Sequence, residues 1–383
     1  MSPFQPARRL RGIEKSMIRQ LFDRAQPGSI NLGLGEPDLP TPDVIRRAAV
    51  QIITEEQNGY TSHAGLPALR ERIAADYQQL GLTPERVITT AGSQEALYLA
   101  LMTLVDEGDE VLLPDPGFVA YPTIVRMAGG RPVYYRLPAA QDFGFDLEEF
   151  RHALTPRTKV VVCISPSNPT GRTISREQFA AMATTLVGSN VHVISDEIYR
   201  ELYYSTHRPE SIASFYPNTI VIGGVSKSLS MTGWRLGWLG GDDDFIRSAL
   251  ILHGYVTTCA STISQKAVLA GAWTPEAEIA RQQARDIFRD RRDYLIDLIR
   301  SQLKLSAVTP DGAFYTMVNT SAFGNSMKVA EALLEQGVIT VPGSAFGNES
   351  EGFLRVSFCA DKPVLAEGAR RIGEALSGLR EVN

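Results

Sequence analysis

A long alternation of short apolar runs with amphipathic helical stretches, between residues 66 and 279, constrains the fold most strongly. Six apolar runs predict buried strands: Arg86–Thr90, Glu110–Leu113, Pro132–Tyr135, Lys159–Ile164, Val191–Ile194 and Thr219–Ile222. Helical stretches such as Ser93–Val105, Leu147–Leu154 and Arg176–Val187 lie between them. The alternation predicts an α/β protein with an open, mostly parallel sheet covered by helices on both faces. In such sheets, ligands bind beyond the carboxyl ends of the strands.

The segments on either side of this alternation are also patterned. Before it, Thr41 and the proline that follows predict the capped start of a helix that runs to Glu55. After it, a charged helix is predicted from Pro275 to Gln302. The last part alternates again, with a helix at Met327–Gln336 and strands at Gly312–Met317, Val338–Val341 and Phe353–Phe358. A chain of 383 residues is long enough for one large and one small domain.

Charge and cysteine content exclude several classes of partner. The net charge of -5 gives no basic surface for nucleic acid or for an anionic membrane. Cys163, Cys259 and Cys359 are isolated, so neither a disulfide framework nor a metal site is indicated, and buried thiols in a reducing compartment are expected. There is no apolar signal core and no run approaching the ~20 apolar residues of a membrane span. The sequence therefore predicts a cytoplasmic protein.

The stretch from Ser226 to Trp238 carries the strongest chemical signal. Lys227 comes just after the predicted strand Thr219–Ile222, where side chains from several strands converge. A lysine amine can form a Schiff base with an aldehyde, and the rigid fork of Arg235 can hold a phosphate. A reactive amine beside a phosphate clamp suggests pyridoxal phosphate as cofactor. A solvated lysine and a surface arginine are the alternative, but the hydroxyls, glycines and tryptophans around them are unusual for an exposed loop.

This stretch, S-K-x-x-x-M-x-G-W-R-x-G-W, resembles the lysine motif of the class I/II aminotransferases, which are pyridoxal-phosphate enzymes of fold type I. The resemblance implies a seven-stranded sheet sandwiched by helices, with a smaller α/β domain built from both termini. It divides the chain into an arm (residues 1–45), a large cofactor-binding domain (46–279) and a small domain (280–383). Further motifs of the family follow one another in the expected order.

Two of these motifs, S-D-E-I-Y at residues 195–199 and N-P-T-G at residues 168–171, lie at the ends of predicted strands. A carboxylate at the end of an apolar strand is costly unless it is paired, and a protonated pyridine nitrogen would be a suitable partner for Asp196. Asn168, in N-P-T-G, could donate to the phenolate oxygen of the cofactor, and Tyr199 could share that oxygen. The alternatives are a plain turn at Asn168 and, for the neighbouring Glu197, a charge at the start of a helix.

Further residues are candidates for cofactor contacts. Gly92, Ser93 and Gln94 leave a strand and enter a helix, with Ser93 as the N-cap, so this turn is either a phosphate cradle or an ordinary capped helix. Phe118 is at the position where the family has an aromatic ring stacked on the pyridine, although such a ring is most often a core residue. Tyr121 is interpreted as structural.

The resemblance also assigns residues to the substrate and to a partner subunit. Arg355 interrupts the apolar strand Phe353–Phe358, so it must reach solvent or meet a carboxylate. In the family, the matching arginine forks onto the substrate α-carboxylate, and the loop at Gly35 covers the same group by a backbone contact. The pattern around Tyr60 is similar to the segment whose tyrosine reaches the phosphate of the neighbouring subunit, which implies a homodimer.

The activity that this resemblance implies is ping-pong transfer of an amino group from an L-amino acid to a 2-oxo acid. Lys227 would act as general base and acid, and Ser226 and Arg235 would hold the phosphate. The sequence does not decide whether the amino donor is aspartate or a bulky apolar amino acid. An arginine of the N-terminal arm such as Arg19 could bind the side-chain carboxylate of aspartate, but it could equally be solvated. The alternatives are a β-eliminating C–S lyase on the same fold and a non-catalytic sensing module.

Overall fold

The structure, a computed structural model, describes residues 5–78 and 81–380, so the first residues of the predicted arm and residues 381–383 of the predicted small domain lie outside it. The described strands, in chain order, are β1 (Ile30–Asn31), β2 (Val87–Thr90), β3 (Glu110–Asp115), β4 (Arg131–Arg136), β5 (Thr158–Ile164), β6 (His192–Asp196), β7 (Thr219–Gly224), β8 (Gly237–Gly240), β9 (Tyr315–Asn319), β10 (Val338–Ile339), β11 (Val341–Pro342) and β12 (Phe353–Ser357).

The described helices lie mostly between these strands. They are α1 (Met17–Asp23), α2 (Asp43–Glu55), α3 (Pro67–Asp76), α4 (Ser93–Leu104), α5 (Ala120–Met127), α6 (Leu147–Ala153), α7 (Arg176–Leu186), α8 (Asp243–Val256), α9 (Thr262–Gly271), α10 (Pro275–Asp297), α11 (Ser326–Glu335) and α12 (Lys362–Arg380). A π-helical segment, Leu298–Gln302, continues α10. The charged helix predicted from Pro275 to Gln302 is therefore present over its whole length.

Seven strands form the central sheet, in the order β2-β8-β7-β6-β5-β3-β4. All neighbours are parallel except β8, which is antiparallel to both β2 and β7. The predicted α/β fold with a mostly parallel seven-stranded sheet is therefore confirmed. The carboxyl ends of β5, β6 and β7 lie side by side, and these ends position the candidate site.

Alternate residues of the central strands belong to two different hydrophobic cores. In β5, Val160 and Val162 pack into one core, while Val161 and Cys163 pack into the other. Helices α4, α5 and α10 contribute to the first core, and α6 and α7 to the second. Because side chains alternate across a strand, an apolar run without polar interruptions requires this coverage of both faces.

Two smaller sheets combine segments from both ends of the chain. Strand β1 pairs in parallel with β10, and β12 pairs antiparallel with both β9 and β11. The strand predicted at 338–341 is thus two strands in different sheets, and the strand predicted from Gly312 begins only at Tyr315. The domain boundaries at residues 45 and 279 stay predictions.

Two further sequence expectations are wrong in detail, and one strand was missed. Thr41 does not cap α2; the N-cap is Pro42, and the Thr41 hydroxyl donates instead to the Ser230 carbonyl oxygen at 2.8 Å. Strand β8 was not predicted, because its sequence, Gly-Trp-Leu-Gly, lacks the β-branched residues that indicate strands. Cys259 is partly exposed, whereas Cys163 and Cys359 are buried, and all three thiols are free.

Within residues 5–78 and 81–380, no helix combines the length and the apolar character that crossing a membrane requires. The cytoplasmic location stays a prediction. In the same part of the chain, no cluster of three or more histidine, cysteine or acidic side chains could hold a metal ion.

Candidate active site

A cavity of about 290 Å³ opens beyond the carboxyl ends of β5, β6 and β7. This position follows the general rule for ligand sites in open α/β sheets. Eleven residues predicted from the sequence line the cavity: Gly35, Ser93, Gln94, Phe118, Asn168, Asp196, Tyr199, Ser226, Lys227, Arg235 and Arg355. Chain segments separated by up to 320 residues thus meet around one small space.

Lys227 lies three residues beyond the end of β7, and its ammonium group donates to the Gly35 carbonyl oxygen at 2.6 Å. The pKa of Lys227 is lowered to about 8, chiefly because burial removes water from the charged form. A larger fraction of this amine is therefore neutral near neutral pH than for an ordinary lysine. A neutral amine is the form that attacks an aldehyde or accepts a proton.

Asp196 is the last residue of β6 and is only 6 % exposed. Its carboxylate accepts hydrogen bonds from the Tyr121 hydroxyl at 2.8 Å and from the Ile198 amide at 3.2 Å. No arginine, lysine or histidine of the described segments forms an ion pair with it, and burial raises its pKa to about 6. A buried carboxylate without a cationic partner is costly, so this site fits a ligand that carries a cationic nitrogen.

Tyr121 was interpreted as structural, yet its hydroxyl orients Asp196 directly. The sequence offered no signal for this role, since a tyrosine at the start of a helix is most often a packing residue. Its ring is fully buried and meets the Phe118 ring edge-on, with centroids 5.5 Å apart. Tyr121 is therefore a positioning residue between the aromatic wall of the cavity and its carboxylate.

The turn before α4 leads into the amino end of that helix at the cavity. The N-cap of α4 is Gly92, with φ of 85°, and Ser93 is the first helical residue, so the prediction that Ser93 caps the helix is wrong. A left-handed N-cap favours glycine, and no side chain caps the helix. Ser93 and Gln94 line the cavity at the positive end of α4, so the turn fits a phosphate group.

Arg235 lies against this turn. Its guanidinium donates to the Thr232 carbonyl at 2.7 Å and to the Ala91 carbonyl at 3.3 Å. A methyl group at Gly92 would come within 2.5 Å of the Arg235 side chain, so the close approach depends on glycine. The guanidinium and the amino end of α4 therefore add positive potential at the same place, which favours a doubly charged anion.

Arg355 is buried, at 3 % exposure, and does not reach solvent. It donates to the Asn168 side-chain oxygen at 2.8 Å and to the Gly33 carbonyl at 2.5 Å, and its guanidinium lies 4.2 Å from the centroid of the Tyr315 ring. No carboxylate of the described residues pairs with it, and the predicted pairing with a substrate carboxylate stays a prediction. A carboxylate ligand in the cavity would supply the missing partner.

Tyr199 and Tyr315 complete this side of the cavity, with their hydroxyl groups 2.9 Å apart. Burial raises the pKa of Tyr315 to about 12, so its hydroxyl stays protonated. Tyr315 was missed because an aromatic residue in a strand ordinarily belongs to the core. Its hydroxyl lies so close to Gly35 that a side chain at that position would collide with it.

Several residues singled out in the sequence do not line the cavity, among them Gly92, which lies in the turn before α4. Tyr60 is 88 % exposed and does not touch the site of its own chain. Arg19 is exposed and pairs with Asp23 at 3.4 Å, while its neighbour Ile18 lines the cavity. Glu197 does not start a helix; it is buried and pairs with Arg200 at 3.2 Å.

Comparison with known proteins agrees with this fold. The family profile described as "Aminotransferase class I and II" matches residues 27–372. The chain is 38% identical to an aspartate aminotransferase from Geobacillus stearothermophilus, over 90% of each chain. It superimposes with a TM-score of 0.92 on the aspartate aminotransferase from Thermus thermophilus solved with maleate (33% identity, 97% of this chain and 100% of the other). An aromatic aminotransferase from Pyrococcus horikoshii gives a TM-score of 0.89 (31% identity, 96% and 100%).

Fold and cavity together define an α/β enzyme with a partly buried lysine, a buried carboxylate and two arginines around one ligand-sized cavity. The chain belongs to the class I and II aminotransferases. It is an aminotransferase enzyme, as the family resemblance implied. Members of this family generally depend on pyridoxal phosphate and are typically dimeric.

Proposed function

We propose that this aminotransferase binds pyridoxal phosphate in the described cavity and transfers amino groups from L-amino acids to 2-oxo acids in two half-reactions. The proposal rests above all on one observation: Lys227 and the cation-free carboxylate of Asp196 open into the same cavity. The names of the relatives, which include aspartate and aromatic aminotransferases, support amino acids of these kinds as donors.

Each part of the cofactor has a candidate partner. Gly92, Ser93, Gln94, Ser226 and Arg235 would hold the phosphate, because they combine backbone donors, a hydroxyl and a guanidinium. Phe118 would cover the ring, and Asn168 and Tyr199 would contact its phenolate oxygen. Asp196 would pair with the ring nitrogen and Lys227 with the aldehyde carbon. When bound, the cofactor supplies an electron sink that stabilises negative charge on the substrate Cα.

The chain's own residues would then manage position and protons. Arg355 and the backbone at Gly35 bind the α-carboxylate and so orient the Cα–H bond. Lys227 takes the proton from Cα as general base and returns a proton as general acid. Asp196 keeps the ring nitrogen protonated through the reaction. The oxo acid leaves before the second substrate enters, which gives ping-pong kinetics.

A panel of L-amino acids, assayed with 2-oxoglutarate and with pyruvate as acceptors, tests this proposal. We expect the new amino acid and the new oxo acid to form in equal amounts, and only when an acceptor is present. Formation of pyruvate and ammonia from cysteine-type donors without an acceptor would instead identify a β-eliminating lyase.

For Arg355→Ala, we expect the KM for amino donors to rise by roughly 30-fold, the factor that corresponds to about 2 kcal/mol for a truncated buried charge contact. The guanidinium donates to the Gly33 carbonyl next to the Gly35 loop and has no carboxylate partner among the described residues, so its loss removes the anchor of the α-carboxylate. Steady-state kinetics and a cofactor titration measure the two effects separately. If Arg355→Ala lost cofactor affinity while KM stayed normal, its assignment to the substrate would be wrong.

We also propose a homodimer in which Tyr60 of one subunit contacts the cofactor phosphate of the other. Tyr60 is 88 % exposed, and the nearby end of α8 exposes Ile251 and Tyr255, which lie four residues apart on one helix face. The Thr262 hydroxyl donates to the Gly59 carbonyl at 2.7 Å, which fixes the Tyr60 loop beside α9. An exposed apolar surface of this kind is typical of a protein contact.

Tyr60→Phe is expected to weaken cofactor binding by about tenfold, near the lower end for a hydrogen bond to a charged group. The dimer should persist, because the apolar ring is kept. Sedimentation velocity and cofactor titration provide the two measurements. A protein that is monomeric at micromolar concentration yet fully active would contradict both the dimer and the role of Tyr60.

A further inference from the structure

The turn at the amino end of α4 is supported by an acidic side chain. The helix starts at Ser93 after the N-cap Gly92, and no side chain caps it. Glu95, the third residue of α4, folds back instead, and its carboxylate accepts a hydrogen bond from the Ala91 amide at 2.5 Å. In a capping box, a glutamate at this position reaches back to the amide of the N-cap residue. Here it reaches one residue further and fixes the backbone just before the turn.

The peptide groups of Ala91 are held from both sides. Glu95 binds the amide of Ala91, and the Arg235 guanidinium donates to its carbonyl oxygen at 3.3 Å. The Thr90 hydroxyl donates to the Gly92 carbonyl oxygen at 2.9 Å. Side chains thus fix the backbone on which the direction of the first amides of α4 depends. Donors that are already in place lose less conformational freedom when an anion binds.

Glu95 is in turn held by the carboxyl-terminal end of α8. The His253 Nδ1 atom lies 2.9 Å from the Glu95 carboxylate, and the Thr257 hydroxyl donates to the same oxygen. The His253 side chain is fully buried, and that of Glu95 is 8 % exposed. Burial alone would raise the pKa of Glu95, but hydrogen bonds from His253, Thr257 and the Ala91 amide together hold this pKa below its usual value. Because an ionised carboxylate only accepts hydrogen bonds, Nδ1 carries the proton.

A carboxylate near a phosphate site needs a reason, since like charges repel. Glu95 does not line the cavity, although Ser93 and Gln94 do. Both of its oxygens are engaged: one accepts from the Ala91 amide, and the other faces His253 and Thr257. The side chain is therefore placed to orient the backbone, not to contact a ligand.

We propose that Glu95 is a positioning residue for the cofactor phosphate, and that His253 and Thr257 hold Glu95 in the orientation that this role requires. The inference rests on the proposed function, since it takes the Gly92–Gln94 turn as part of the phosphate site. The three side chains fix Ala91 so that the first amides of α4 converge on the phosphate. They therefore govern the affinity for the cofactor, and not that for the amino donor.

Titration of the cofactor-free enzyme with pyridoxal phosphate, followed by absorbance, tests the inference. Glu95→Ala should weaken binding by about tenfold, the loss expected for one hydrogen bond to a charged group. Glu95→Gln should stay within about threefold, because its amide oxygen can accept from Ala91 and its amide nitrogen can donate to the other tautomer of His253. Pyridoxal, which lacks the phosphate, should bind the wild-type enzyme and Glu95→Ala within about threefold of each other. At saturating cofactor, the KM for amino donors should be unchanged.

A pair of variants at His253 tests the second half of the inference. His253→Asn keeps a donor close to the position of Nδ1, whereas His253→Leu fills the space without one. The leucine variant should bind pyridoxal phosphate at least about threefold more weakly than the asparagine variant. This pair decides the question even where Glu95→Ala fails to fold. Equal affinities in the two variants would contradict the role of His253.

A matched control separates positioning from general stability. Glu351 accepts a hydrogen bond from the Ser326 amide at 2.7 Å, at the start of α11, and does not line the cavity. Glu351→Ala should lower the thermal stability and leave the affinity for pyridoxal phosphate unchanged. Wild-type affinity in Glu95→Ala, or an equal loss in Glu351→Ala, would overturn the inference. Failure of the wild-type enzyme to bind pyridoxal phosphate would instead refute the proposed function, which is a distinct result.

Discussion

Replacement of Lys227 by alanine is expected to lower kcat for amino transfer by at least roughly 10³-fold, within the range that general acid–base catalysis contributes. The reason is that Lys227 provides the only amine in the described lining of the cavity, and its pKa is already lowered to about 8 by burial. Without it, no neighbouring group can both hold the aldehyde carbon and move a proton at Cα. Initial rates with a saturating donor and acceptor measure the loss.

The variant should remain folded, because a truncated lysine side chain removes a partly buried cation and one hydrogen bond, to Gly35. Circular dichroism and thermal unfolding check this directly. Lys159→Ala is a matched control, since Lys159 is exposed near the amino end of β5, away from the cavity. Near-normal turnover in Lys227→Ala would refute the assignment of this residue.

Asp196→Asn should lower kcat by roughly 10²- to 10³-fold, the usual cost of removing one fixed electrostatic partner of a reacting group. The amide has almost the same shape as the carboxylate and can still accept from Tyr121, so the geometry is kept while the negative charge is lost. A neutral partner no longer holds the proton on the ring nitrogen. Steady-state kinetics at saturating cofactor separate this effect from weaker cofactor binding.

Asp115, the last residue of β3, offers a matched control at the end of a strand two positions away from β6 in the sheet. It is buried like Asp196, and burial raises its pKa as well, but it accepts hydrogen bonds from the backbone amides of Asn348 and Glu349 and does not line the cavity. Asp115→Asn is therefore expected to affect stability while kcat stays within about threefold of wild type. An Asp196→Asn enzyme with kcat as high as this control would show that the carboxylate has no role in the reaction.

The central sheet could be predicted because most of its strands are buried on both faces. Runs such as Lys159–Ile164 are apolar at every position except the first, and several of them are followed by a turn and a helix. The residues just beyond those strands, such as Asp196 and Lys227, then had to meet at one edge. Their positions follow from strand order and from the general geometry of parallel sheets, without knowledge of any side-chain contact.

Other features depend on contacts that no local pattern encodes. Strand β8 contains glycines because Gly237 packs against the backbone of Ser93, at a distance that excludes a side chain. Gly92, and not Ser93, is the N-cap of α4, and its backbone is left-handed, which favours glycine. The Tyr121 hydroxyl bonds to Asp196, 75 positions away in the sequence, and the Tyr315 hydroxyl contacts that of Tyr199, 116 positions away. In the sequence, both rings are therefore indistinguishable from ordinary core aromatics.

The most direct test of the account is to identify the lysine that captures the cofactor. Purified protein would be incubated with pyridoxal phosphate, reduced with borohydride, digested and analysed by mass spectrometry. We expect about one cofactor per subunit, attached at Lys227 and absent from the Lys227→Ala variant. Label spread over exposed lysines such as Lys159, or no stable label at all, would contradict the proposal that this cavity holds pyridoxal phosphate through Lys227.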